Sequence, residues 1–308
     1  MMETLNYLIP AAFHAATPIL FAALGGLLTE LAGYINIGLE GTLLTSAFFA
    51  AVVSTLASNA WLGLAAGALS GVMISLLLAT VILKLKANIV IAGFATNLLA
   101  SGGTVFLMST WFGEAGVFRS PDMPVIPTVD LPLIDRVPVL GEALNHHSIL
   151  VYLGWISVGL VSYLIYRTKW GLHLRVTGES EETALSTGIN VDKLRLQAFL
   201  LSGFLAGLGG SYLSLGLTQF FMRGMSAGRG FIALAAVYFG GFTPLGATLG
   251  SLLFGFAGGV ANYFQTLGLP SQLLEMTPYV LTLVAILVYS IRRSSQYGLT
   301  EEETSKSL

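Results

Sequence analysis

The sequence predicts an all-α, polytopic membrane protein, and three observations carry that prediction. The 308 residues are 55% hydrophobic and only 10% charged. Their mean hydropathy is +0.79. Apolar runs of about 20 residues, the length that crosses a ~30 Å hydrocarbon core, recur along the chain. The 36 glycines fit helices that approach closely or are interrupted within a bilayer. A net charge of -2 argues against nucleic acid as a partner, and the absence of cysteine removes disulfides and thiolate metal ligands.

Eight full spans are expected, at roughly 5–28, 35–56, 61–83, 88–111, 148–166, 196–217, 243–264 and 272–291. The first lacks a basic leader and a small-residue cleavage site, so it reads as a retained span. Lys84 and Lys86 follow the third span, Arg167, Lys169, Arg175, Lys193 and Arg195 lie between the fifth and sixth, and Arg292 and Arg293 follow the last. The positive-inside rule places all three clusters in the cytoplasm. Residues 112–147 carry half the chain's prolines and more acids than bases, and read as the large external loop.

Parity then bears on residues 230–264. A single helix there would strand Arg292 and Arg293 outside. Gly240, Gly241 and Pro244 interrupt the stretch, leaving a short piece at about 230–239 before a full span. The N-terminus is then external and the C-terminus internal. A piece of about 10 residues spans only ~15 Å as a helix, so nonhelical backbone buried in protein has to complete the crossing.

"YINIGLEGTLL", Tyr34 to Leu44, places the carboxylate of Glu40 between two glycines inside an apolar stretch. Glu40 falls at a helix start, where the dipole favours an anion. Two roles stay open for it: a brace that caps the turn, or a contact in a solute route, since intramembrane acids are functional candidates. The region around it resembles the region of residues 197–241. Each has a helix with a Gly-Gly pair (Gly25-Gly26, Gly209-Gly210), then a Gly-bracketed polar turn (Gly38 to Gly41, Gly228 to Gly230). The expected topology puts the first turn near the cytoplasm and the second near the outside, as in inverted repeats with a solute route at their interface.

Residues 167–195 are too long and polar for a bare turn. Ser180 is a good N-cap, Glu181 and Glu182 suit the first turn, and Gly188 suits the stop, which predicts a helix of about seven residues. Alone it would be unstable, so it packs on its own membrane domain, on a partner, or on both.

Nucleotide chemistry is missing from the chain. It has no Gly-Lys pair and hence no phosphate-cradling G-x-x-x-x-G-K-[ST]. His146-His147 reads as a solvated or interfacial pair. An intramembrane serine hydrolase would need Ser211 and His14 to meet, although a serine after glycines is ordinary where membrane helices pack. Asn88, Asn97, Asn262 and Gln265, with Phe94, Phe220, Phe221, Tyr238 and Tyr263, would suit a flat heterocycle or a sugar through hydrogen bonds and stacking. The candidates for a route or gate are therefore Asn36, Glu40, Asn88, Phe94, Asn97, Arg229, Tyr238 and Asn262.

The blocks "INIGLEG", "LRVTGESEETALSTGIN", "LSGFLAGLGGSYLSL", "GRGFIALAAVYFGGFTPLGA" and "PSQLLEMTPYVLTLV" resemble, in combination and order, the inner-membrane permeases of bacterial ABC importers of the branched-chain amino acid and ribose class. The similarity is greatest to nucleoside permeases that work with basic-membrane-protein lipoproteins. It implies a permease domain over residues 1–293; the acidic tail falls outside the resemblance, and its composition reads as a disordered cytoplasmic segment over 294–308. The resemblance implies a second, homologous permease, a cytoplasmic ATPase that binds ATP and Mg, and an external substrate-binding lipoprotein, with no cofactor in this chain. It assigns Gly178, Glu179, Ser180, Glu181, Glu182, Thr183, Ala184, Leu185, Gly188 and Ile189 to a coupling helix seated on the ATPase. Ala184→Arg or Gly188→Trp is then expected to uncouple uptake without unfolding the permease. Purine nucleosides such as guanosine are the expected substrate. Ribose or another sugar, autoinducer-2 and riboflavin are alternatives within the class, and an ion-coupled secondary carrier is the alternative outside it.

Overall fold

The computed structural model describes residues 2–114, 116–129, 145 and 147–266. Ten helices follow one another among the described residues. They are α1 (Met2–Glu30), α2 (Leu39–Ala57), α3 (Ala60–Ala79), α4 (Ile89–Phe112), α5 (Ile149–Arg167), α6 (Lys169–Glu179), α7 (Glu181–Ser186), α8 (Val191–Tyr212), α9 (Arg229–Phe239) and α10 (Pro244–Thr266). Wider π-type turns extend α3 over Thr80–Lys84 and α8 over Leu213–Thr218.

Seven of these helices are long and apolar enough to cross a membrane. They coincide with the first seven expected spans, and the eighth, 272–291, lies outside the described residues, as do Arg292, Arg293 and the tail. The expected short piece is α9, 11 residues long, or about 16 Å. Gly240 ends it and Pro244 opens α10.

Helices α1 and α8 form the centre. Phe21, Leu24, Leu27 and Leu28 of α1 pack with Ala198, Leu205 and Leu208 of α8, Ala233, Ala236 and Val237 of α9, and Phe254 of α10. Where α3 crosses α8, backbones touch: a Cβ on Gly207 would lie 2.8 Å from Ala68 Cα. Lipid chains are as apolar as these helices, so close packing of small residues has to hold them together.

The two ends of the bundle differ. At one end, Gly178 packs on the backbone of Leu31 and Gly33 just beyond α1, which brings α6 and α7 under α1. Tyr238, near the end of α9, donates to Glu30 Oε1 at 2.9 Å, also at this end. This is the basic end, carrying Arg167, Lys169, Arg175 and Lys193. At the other end, two-residue strands clasp the described part of the 112–147 loop. β1 (Val117–Phe118) pairs antiparallel with β4 (Phe221–Met222), and β2 (Thr128–Val129) with β3 (His147–Ser148). Ser54 Oγ, near the end of α2, donates to Pro124 O at 2.9 Å.

Of the pair expected to be solvated or interfacial, His147 is not solvated. It is buried, with Nδ1 3.3 Å from His14 Nε2, while His14 Nδ1 lies 2.6 Å from the Tyr212 hydroxyl. A neutral imidazole has one donor and one acceptor nitrogen, so it can join such a chain and fix the loop's last strand to α1 and α8. His146 lies outside the described residues.

Candidate functional site

Two features stand out, one at the basic end and one deep in the bundle. At the basic end, Ser180 Oγ accepts from Thr183 N at 3.3 Å and starts α7. Gly188, at φ +79, ends it. Gly188 N donates to Leu185 O and Ile189 N to Ala184 O, both at 3.0 Å, the paired bonds of a glycine-terminated helix. The six residues of α7 thus match the short helix expected from Ser180 and Gly188. The preceding α6 was not foreseen. Thr168 opens it by accepting from Gly171 N.

Burial sorts the residues of α7. Ala184 is fully buried and Leu185 is 57% exposed. Arg there would lever α7 off its seat, so Ala184→Arg cannot serve as a clean uncoupling change. Trp at Gly188 would be strained in the left-handed region. Glu181 Oε2 accepts from Arg195 Nη2 at 2.9 Å. That bond, aided by the charges of Arg195 and Lys86 and opposed by desolvation, holds the Glu181 carboxyl below its usual range. The pair is therefore ionised at neutral pH and is lost only as pH falls through that lowered value. Beside α7 lies an open hollow of about 550 Å³ whose lining includes His173, Thr183, Thr187, Asn190 and Lys193.

Deep in the bundle, the two Gly-bracketed turns meet. Glu40 Oε1 accepts from Gly228 N at 2.8 Å and Oε2 from Gly230 N at 2.7 Å. One carboxylate in the first turn of α2 thus caps the start of α9. A Cβ on Gly230 would strike the backbone of Leu39 and Glu40. The expectation of one turn near each membrane face is corrected: the nonhelical link from Leu31 to Gly38 carries the chain back into the bundle before α2 begins, so both turns share one depth.

The other route candidates divide. Asn97 Nδ2 donates to Ile37 O at 2.9 Å and its Oδ1 accepts from Gly41 N at 2.8 Å, bridging the turn. Asn36, fully buried, donates through Nδ2 to Ser202 Oγ at 3.0 Å. Arg229 opens α9, and its Nη1 donates to Met225 O at 2.9 Å. Phe94, half exposed, lies 6.2 Å from the Phe231 ring. These four and Glu40 gather around the crossing. Asn88 instead caps α4 by accepting from Val90 N at 2.9 Å, and Tyr238 serves Glu30 at the basic end. The side chains of Asn262 and Gln265 lie outside the described residues. Phe221 is fully buried in β4. Replacing Asn97 by Ala, which orphans the Gly41 amide and the Ile37 carbonyl, is expected to cost about 2 kcal/mol, read as a lower melting temperature in detergent.

Ser211 Oγ donates to Gly207 O at 2.8 Å and is fully buried, while His14 is engaged with Tyr212 and His147. The two do not form a nucleophile and base. Among the described residues, no three His, Asp or Glu side chains gather as a metal site. Arg195 is the functional candidate that sequence reading missed, because it looked like one more positive-inside charge.

The guanosine ABC transporter permease protein NupQ of Bacillus subtilis is 32% identical, over 93% of this chain and 92% of its own. The nucleoside ABC transporter permease protein NupC of Lactococcus lactis is also 32% identical, over 94% of each chain. So is the putative glucose ABC transporter permease protein TsgC13 of Haloferax volcanii, over 95% of this chain and 94% of its own. No solved structure matches. The family model described as branched-chain amino acid transport system / permease component matches residues 9–289, and this multi-pass membrane protein belongs to that family.

Proposed function

We propose that the chain is the membrane permease subunit of an ATP-driven nucleoside importer, purine nucleosides such as guanosine being the favoured substrate. The observation that carries the mechanism is α7. It is a short, doubly capped helix at the basic end, packed on α6 and α8, with Leu185 turned outward. Two of the relatives above have nucleosides or guanosine in their names, which supports the substrate. Residues 1–293 are the permease domain, with loop 112–147 external, loop 167–195 cytoplasmic and 294–308 a cytoplasmic tail.

In this reading a partner ATPase receives residues 178–189, above all Leu185, and supplies ATP and Mg chemistry that this chain does not perform. A second, homologous permease completes the membrane part, and an external lipoprotein delivers substrate. Closure of the ATPase pair drives the permeases between inward and outward access. Glucose or another sugar is the second reading, favoured by the Haloferax relative.

The test is a gentle-detergent pull-down of the tagged chain from its native membrane, followed by uptake assays on the recovered complex. A homologous permease, a P-loop ATPase and a lipoprotein loaded with nucleoside are the expected partners. A lipoprotein loaded with sugar would move the substrate to the second reading. A chain that purifies alone and carries solute in liposomes without ATP would overturn the importer in favour of an ion-coupled carrier.

A further inference from the structure

We infer that Arg195 is a positioning residue that ties the docking helix α7 to the nonhelical link entering the bundle, so that movement of α7 reaches the Glu40 crossing. The inference rests on the reading of α7 as the ATPase contact. Arg195 is 7% exposed, on the first turns of α8. Its guanidinium does three things at once. Nη2 donates to Glu181 Oε2 at 2.9 Å, Nε donates to Ala32 O at 3.4 Å, and the group lies 4.7 Å from the centroid of the Tyr34 ring.

The contacts continue up α8. Arg195, Phe199 and Ser202 fall at helical spacing on one face. Phe199 lies edge-on to Tyr34 at 6.2 Å, and Ser202 accepts from Asn36. Alternate residues of the link are thus held along this face of α8: Ala32 by Arg195, Tyr34 by Arg195 and Phe199, and Asn36 by Ser202. Four residues beyond Asn36 is Glu40, whose carboxylate holds the start of α9. The segment before α9 carries β4, paired with β1 at the opposite end of the bundle. A continuous set of contacts therefore joins the docking face to the far end, and the Glu40 cap is the joint whose making and breaking would separate two states. Coupling along this set is read at its far end.

Lysine distinguishes transmission from local anchoring. It keeps the charge opposite Glu181 but has one nitrogen and no planar face, so it cannot hold Glu181, Ala32 and Tyr34 together. Arg195→Lys is to be measured in the assembled complex for substrate moved per ATP hydrolysed. A second readout is thiol labelling of Met222→Cys, an exposed position on β4, with and without a trapped ATP analogue. The expected result is normal assembly and basal ATPase activity, a drop of about tenfold in transport per ATP, and labelling that no longer responds to nucleotide. Tyr34→Leu, which leaves the Arg195–Glu181 pair in place, is the second variant and is expected to show the same losses. Native transport, or labelling that still responds in both variants, would overturn the inference while leaving the docking of α7 intact. Failure of a cysteine at Leu185 to crosslink to any ATPase in the native complex would instead overturn the reading of α7, and the inference with it.

Discussion

Leu185→Glu is expected to abolish uptake while the permease alone melts as the native chain does. The side chain is more than half exposed on α7, and the cap by Ser180 and the stop at Gly188 do not involve it. In the proposed docking, a carboxylate at this position loses the buried area of leucine and gains an unpaired charge. At a central interface position that costs about 3 kcal/mol, or roughly a hundredfold in affinity. Pull-down of the ATPase and ATP-dependent uptake give the readouts. Ala184→Arg supplies the contrast: the alanine is fully buried, so this variant is expected to lose both docking and thermal stability. An assembled, transporting Leu185→Glu complex would remove α7 from the docking surface.

The difference between Ala184 and Leu185 also marks what a sequence can tell. That a short helix starts at Ser180 and stops at Gly188 is local chemistry: a hydroxyl reaching an amide three residues on, and a glycine free to take positive φ. The spans were legible for a similar reason, since apolar length is a property of the chain alone, and the break at Gly240 to Pro244 gave the short α9. Which side of α7 faces the bundle depends on its packing against α6 and α8, and α6 is seated in turn on Leu31 and Gly33, about 150 residues away. Neighbouring residues with similar apolar character therefore gave no clue to their different burial. Asn88 and Asn97 were indistinguishable in sequence for the same reason. One caps its own helix, and the other bridges a turn some 60 residues upstream. Arg195 was hidden by a rule that explains positive charge near a membrane well enough without any specific partner.

Glu40→Gln is expected to lower stability by about 3 kcal/mol and to lose transport, although glutamine is nearly isosteric. Both carboxylate oxygens accept backbone amides, and hydrogen bonds to a charged group contribute about 1.5–3 kcal/mol each. Glutamine offers one oxygen and one NH2, so one of the two amides would face another donor. Charge matters as well. Helices α2 and α9 begin against each other, each with a positive dipole end worth roughly half a charge, and the carboxylate lies between them. Glutamine removes that compensation at a partly buried position. Glu40→Asp keeps the charge on a shorter stem that reaches one amide, so the expected order of melting temperature in detergent is native, then Asp, then Gln. Uptake measured below the melting temperature of each variant separates the two roles left open for this acid. A brace predicts that transport falls in step with stability. A Gln variant that melts like the native protein yet fails to transport would place the carboxylate in the solute route or its gate. One that melts and transports normally would show that the two hydrogen bonds are dispensable.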